Sequence, residues 1–373
     1  MGSATLCRWR AVIATLCVLC APASRAAADS AFFGLLRARD LTPFGFLRLD
    51  MRPSHAISVP PGTWAIEMEL AYQNTWALSE GVERYLSSLP GRRELGAAEL
   101  QSILDLPGEN YLVDVELSQL DVTVHHKLTP DWGAYLTLSG AAYSGGFLDA
   151  AIEQFHDVFG FSTFGRPAAA RNDVNMLFDL QSMQSASFEA PTNGGLLDPT
   201  IGVRYSGAPM PDAWNLVLEA AVKLPIEGRR PFLSTGRTDF GIQGMLQRVS
   251  KSHALYIDVS AVYYAGTEGI VPSASQILPT LVLGYERRLT PRTNAILQTY
   301  TSPSVYSRKE TELEELLKTK YQLSLGIRHR TGPHLFSFAV TENLQNFNNT
   351  PDIGFQFGWA RNIRSGARTD QKL

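Results

Sequence analysis

From Tyr321 to Ile363 apolar and polar side chains take turns along the chain. Tyr321, Leu323, Leu325 and Ile327 alternate with Gln322, Ser324, Gly326 and Arg328. Phe336, Phe338 and Val340 alternate with Ser337, Ala339 and Thr341, and Ile353, Phe355, Phe357 and Trp359 with Gly354, Gln356, Gly358 and Ala360. A period of two puts one kind of residue on each side of an extended segment, so three strands are predicted. A strand of a soluble sandwich turns large apolar residues inward and charges outward. These strands have a small, mostly uncharged polar face and an apolar face ending in aromatics such as Tyr321 and Trp359, as expected of a wall between lipid and a polar lumen. A soluble β-sheet remains the alternative on these three strands alone.

The same pattern, with more noise, predicts twelve strands over residues 63–76, 110–127, 132–145, 196–207, 213–225, 237–249, 253–267, 276–289, 293–302, 319–330, 334–343 and 352–362. The apolar face of the first carries Trp64, Ile66, Met68, Leu70 and Tyr72, and that of the fifth Trp214, Leu216, Leu218, Ala220 and Val222. The second changes phase near Gln119 and Leu120, which predicts a β-bulge there. Connections alternate in length. Thr129-Pro130-Asp131, Gly207 to Asp212, Val249 to Ser252, Thr290-Pro291-Arg292 and Thr331-Gly332-Pro333 are short, whereas 77–109, 146–195, 226–236, 268–275, 303–318 and 344–351 are longer in nearly every case. A soluble sandwich has no reason to sort its loops this way; an outer-membrane barrel has short periplasmic turns and long external loops. The expected fold is therefore an all-β transmembrane antiparallel β-barrel of about 12 strands with periplasmic termini.

The segments outside the strands fit that location. Arg8 and Arg10 precede the apolar run Ala11 to Cys20, and Ala26-Ala27-Ala28 offers a cleavage site before Asp29, so residues 1–28 read as a secretory signal peptide. The run is too short to cross a bilayer as a helix, which needs about 20 apolar residues. All three cysteines, Cys7, Cys17 and Cys20, lie in that segment, so from Asp29 onward no disulfide, thiol nucleophile or thiolate metal site is available. Residues 29–62, broken by Pro43, Pro53, Pro60 and Pro61, hold no period; with Phe32, Phe33, Phe44, Phe46 and Leu47 they are too apolar for a free tail and either pack in the lumen or lie at the periplasmic end. The barrel is assigned to 63–363 and a polar tail to 364–373, where a terminal aromatic that assists the barrel-assembly machinery would be usual.

Pro43-Phe44-Gly45, Pro60-Pro61-Gly62-Thr63-Trp64, Gly145-Gly146-Phe147-Leu148-Asp149 with Phe155-His156-Asp157-Val158-Phe159-Gly160, and Asn348-Asn349-Thr350-Pro351-Asp352-Ile353-Gly354-Phe355 together resemble a bacterial family of outer-membrane β-barrel proteins of unknown function, known by a domain-of-unknown-function label. The resemblance implies location and architecture, and no activity, ligand or catalytic residue.

The chain's 33 Lys and Arg against 36 Asp and Glu, a net charge of −3, argue against a nucleic-acid partner. His125-His126 with Asp121 is the one pair with catalytic residue types, but no serine of matching surroundings accompanies it and two ligands do not make a metal site. No catalytic residue, metal site or cofactor is expected. Candidate lumen-lining residues are Glu67, Glu69, Asp114, Glu116, Asp121, Arg204, Glu219, Lys223, Arg328 and Arg330, read either as a pore of opposed charge or as a closed lumen laced by ion pairs. A charge placed at Leu325 is expected to be costly and one at Ser324 tolerated in lumen water. After the signal, only Phe147 to Phe159 shifts to a period near 3.6, with Leu148, Ile152, Phe155 and Phe159 on one stripe. This predicts an external helix, either packed on the rim or acting as a hydrophobic lid.

The functions these features support are a passive channel or selective uptake pore for small solutes, a structural or lipid-interacting barrel without transport, and, third, a lipid-modifying enzyme. Outer-membrane lipid and the assembly machinery are the expected partners.

Overall fold

The structure is a computed structural model and describes residues 32–363 apart from 43–44, 46, 55–58, 188–193, 209, 212, 227, 231, 267–273 and 346. The predicted signal peptide and the polar tail lie outside the described residues. Twelve strands form the barrel: β1 (Trp64–Leu78), β2 (Asn110–Lys127), β3 (Trp132–Ser144), β4 (Thr200–Tyr205), β5 (Trp214–Lys223), β6 (Asp239–Val249), β7 (His253–Tyr264), β8 (Gln276–Thr290), β9 (Thr293–Ser302), β10 (Lys320–Thr331), β11 (His334–Gln345) and β12 (Ile353–Ile363). Each pairs antiparallel with its neighbours in sequence, and β12 closes on β1 from Trp64↔Ile363 to Asn74↔Ile353. Closure leaves the ring without an edge, and it satisfies the strand amides and carbonyls within the wall.

Burial alternates as the sequence pattern requires. Every strand turns large apolar residues outward, among them Met68, Leu120, Leu138, Ile201, Leu218, Ile242, Val259, Leu283, Leu297, Leu325, Phe336 and Phe357, all exposed. An exposed apolar belt around a closed wall has lipid as its solvent, which makes this a transmembrane β-barrel of the outer-membrane kind. Aromatics mark the short-turn rim: Trp64 stacks on His126 at 4.0 Å, Trp132 lies 4.9 Å from Tyr205, and Trp359 Nε1 donates to His334 Nδ1 at 3.0 Å.

The expected bulge in β2 is absent. Its register with β1 runs unbroken from Trp64↔His126 to Leu78↔Leu112. The phase change is real, but its cause is the surroundings. Above Leu117, β2 leaves the membrane belt, so its inward side meets an apolar plug of loop residues while its outward side is covered by loops that are polar around Asp114 and Glu116 and apolar around Leu112. Tyr111, Val113, Val115 and Leu117 accordingly join Val174, Met176, Phe178, Tyr264 and Tyr306 in one buried cluster at the long-loop end.

The long loops hold more helix than their sequence suggested: α1 (Glu80–Ser88), α2 (Ala97–Leu104), α3 (Asp149–Phe159) and one turn, α4 (Glu314–Leu317). In α1, Val82, Tyr85, Leu86 and Leu89 repeat at i, i+3, i+4 and i+7, a signal overlooked because the helix is short. They pack with Trp76, Leu78, Ile103 and Leu112 on the outer side of the wall.

Leu325 sits mid-strand, 61% exposed, opposite Leu297 and Val340, whereas Leu289 lies at the short-turn end of β8. Leu325→Arg should lower the unfolding free energy by about 2–4 kcal/mol and Leu289→Arg by about 0–1. Urea titration of the barrel refolded into vesicles, read by heat-modifiable migration, measures both.

Candidate functional site

The described residues of 32–54 run through the barrel. Their backbone has no regular partner strand, so the amides inside a lumen must find side chains. The wall supplies them. Phe33 N and Gly34 N donate to the Glu286 carboxylate at 2.8 and 3.0 Å, Leu36 N to Gln298 at 2.9 Å, Leu41 N to Gln73 at 2.9 Å and Leu49 N to Asp239 at 2.9 Å. Carbonyls are met too: Lys223 Nζ donates to Leu47 O at 2.7 Å, and Arg328 to Phe33 O. The segment therefore touches β1 on one side of the ring and β5, β6, β8, β9 and β10 around the rest.

Charge is matched across the same boundary. Arg52 Nη1 reaches Asp121 at 2.9 Å and Glu69 at 3.3 Å, with Nη2 on Thr123 at 3.1 Å. Arg39 pairs with Asp121 at 3.0 Å and Asp50 at 3.4 Å; Arg37 lies 3.5 Å from Glu67, which also meets His125 at 3.2 Å. Opposite, Lys320 Nζ pairs with Asp40 at 2.6 Å, and Lys223 with Asp239 at 2.8 Å. Arg37, Arg39 and Arg52 each face a wall carboxylate because an unpaired buried charge is very costly, whereas Arg48 donates to the Tyr300 hydroxyl.

Shape is matched by missing side chains. At inward positions the wall has Gly241, Gly284 and Gly326, where an added Cβ would come within 2.5 Å of Met51, 2.1 Å of Leu35 and 2.9 Å of Leu36 respectively. Phe32, Leu35 and Leu36 pack there with Val217, Met245, Tyr256, Val282 and Ile296. The lumen is thus closed by ion pairs between the wall and the chain's own segment, a different arrangement from ion pairs between wall strands.

Of the predicted lumen residues, Glu67, Glu69, Asp121, Arg204, Glu219, Lys223, Arg328 and Arg330 lie on inward strand positions. Arg204 Nε meets Glu219 at 2.7 Å. Asp114 and Glu116 do not face the lumen. They share the phase of lipid-facing Leu120 but sit above the belt, buried under loops, with Asp114 accepting from Asn175 at 3.0 Å. Asp239, Glu286 and Lys320, which hold the segment, were legible as polar residues in phase with Gln243, Gly284 and Gln322 and were overlooked. The neighbours His125 and His126 point to opposite faces, so they form no pair. A charge at Ser324 would not be solvated either, since the residue is 1% exposed and its hydroxyl lies 2.7 Å from Thr341 Oγ1.

Glu116 instead holds α3. Its carboxylate accepts from Phe147 N and Leu148 N at 3.1 and 2.8 Å, at the positive end of the helix. Gly146, at φ +69°, lies so close to it that a Cβ would come within 1.8 Å of the carboxylate. Asp149 pairs with Arg166 at 2.6 Å, and Asp352 pairs with the same guanidinium. Arg166, missed from sequence, so joins the helix to the loop before β12. Burial works to raise the Glu153 carboxyl, but hydrogen bonds from Arg171 and Arg92 outweigh it and hold it below the usual range. The predicted stripe divides: Leu148 and Ile152 are buried, whereas Phe155 and Phe159 are 47% and 63% exposed beside Phe161. Gly160, left-handed at φ 71°, ends the helix.

A closed twelve-strand wall with an apolar belt and a lumen filled by the chain's own N-terminal segment defines a plugged outer-membrane barrel. The chain belongs to the family described as "Protein of unknown function (DUF3187)", matched over residues 96–363. No curated protein matches it. Among solved structures it is similar to the COG4313 outer membrane channel from Pseudomonas putida F1, at 10% identity over 84% of this chain and 100% of that one with a TM-score of 0.48. The P. putida toluene transporter TodX follows at 9% identity, 83% and 92% coverage and a TM-score of 0.38. The translocator domain of autotransporter NalP from Neisseria meningitidis gives 10%, 80%, 88% and 0.41 on the same measures.

Two outcomes follow from this packing. Gly284→Val overfills the seat of Leu35, at a cost of about 1–3 kcal/mol, so maleimide labelling of a cysteine placed at Leu36 should quicken about tenfold or more relative to the same cysteine behind Gly284. Phe155→Asp with Phe159→Asp should leave assembly and heat-modifiability intact, because neither ring is buried, whereas Ile152→Asp should impair both.

Proposed function

We propose that the protein is a bacterial outer-membrane channel for small solutes, closed at rest by residues 32–54 and opened when that segment leaves the lumen. The observation that carries this reading is the polar, ionic fit of segment to wall. A permanent filling would be held best by a continuous apolar core, and here Arg39, Arg52, Asp40 and Leu49 N each end on a wall group that water could replace once the segment moves. Twelve strands enclose more space than the eight-strand barrels that side chains fill, and less than sixteen-strand porins. The solutes are therefore small. Short turns at one end and structured loops at the other support a periplasmic position for the chain ends. The reading assigns no catalytic role to any residue.

Planar-bilayer recording tests it. The intact protein should show long silent periods with rare openings, and deletion of residues 32–54 should give steady steps of reproducible size. Silence from both forms, with the barrel assembled, would favour a structural or lipid-interacting barrel without transport.

A further inference from the structure

A cavity of about 630 Å³ opens at the short-turn mouth, a volume within the range of small-molecule sites. Its lining is unbalanced in charge. Arg37, Lys127, Arg204, Arg328, Arg330 and Arg361 contribute to it, against Glu67 as the one acidic residue among the described lining. Glu67 is already engaged by Arg37 and His125, and Arg204 by Glu219.

Two of these guanidiniums are more than nine-tenths buried, Arg37 at 6% and Arg328 at 3% exposure. Arg328 donates one amino group to Phe33 O, but its Nε has no hydrogen-bond partner, and among the described residues no carboxylate lies within ion-pair distance of it. Arg37 Nε is likewise without a partner. Arginine cannot discharge itself by losing its proton, so a buried guanidinium short of acceptors gains most from an acceptor that also carries counter-charge. Beside them, Arg330 lies over the Phe33 ring at 4.4 Å, which holds a third guanidinium at the mouth.

We propose that this cavity is a binding site for a small anion bearing a carboxylate or phosphate group, held between Arg37 of the luminal segment and Arg328 and Arg330 of β10. Planar guanidinium forks suit such groups, each donating two parallel hydrogen bonds to a carboxylate or phosphate. Because Arg37 belongs to the segment and Arg328 to the wall, the anion ties one to the other and binds the closed barrel more tightly than the open one. By linkage it then holds the channel shut from the short-turn side. That last consequence rests on the channel reading; the binding itself does not.

Isothermal titration of the purified full-length protein in detergent, at fixed ionic strength, tests the site with two probes, inorganic phosphate and succinate. Saturable binding of at least one is expected, and the probe preferred distinguishes a phosphate from a carboxylate ligand. Arg328→Gln should weaken it about tenfold or more, while Arg288→Gln, at the exposed turn outside the cavity, should leave it unchanged. If Arg328→Gln fails to assemble, Arg330→Gln takes its place. Absence of saturable heat with both probes, or equal binding by the cavity variant and the parent protein, overturns the proposal. Failure of conductance with binding intact would count against the channel alone.

Discussion

Arg52 is the side chain on which the closed lumen most depends. Its guanidinium is 7% exposed and meets Asp121, Glu69, Thr123 and Thr137, on three strands of the wall, from a segment with no strand of its own. Removing one member of such a group leaves the others charged and dry, typically at about 3–5 kcal/mol. The same arithmetic works in reverse when water enters. Under the proposed gating, departure of the segment would expose arginines and carboxylates that water solvates well, so the closed and open forms would differ by less than a greasy core of equal size would impose. An ionic fit is thus firm when intact and reversible when breached, as a movable closure requires.

The two ends of the barrel divide the remaining work. At the long-loop end the lumen-side residues turn apolar, the outward ones are covered by loop structure, and Arg166 gathers Asp149, Asp352 and Asn74 beneath Trp76. At the short-turn end the lumen stays polar and opens into the arginine-lined cavity. Lipid sees only the belt between them.

The wall was legible because a strand between lipid and lumen imposes a period of two that survives noise. Even β9, the weakest of the twelve in pattern, falls at Thr293–Ser302 as its alternation predicts. The contents of the barrel were not legible, because residues 32–54 carry no period and their partners are fixed by three-dimensional fit. Inward glycines such as Gly284 were a readable hint, since small residues on a lumen face ask what they make room for. Asp114 and Glu116 were misplaced for a different reason. Alternation says which residues share a face, and only the belt above or below says what that face meets. Arg166 lies in a loop, where no period exists to single it out.

One measurement bears directly on the claim that the segment is the gate. The protein's cysteines all lie in residues 1–20, so new ones can be introduced cleanly. An ideal Cβ on Gly284 would lie 3.1 Å from Leu35 Cγ, close to the spacing a disulfide needs. With Leu35→Cys and Gly284→Cys combined, bilayer conductance should be absent while the bond is oxidised and should appear in repeated steps on adding a reductant. Equal conductance before and after reduction, with the crosslink confirmed by mass, would show that the segment does not gate the barrel.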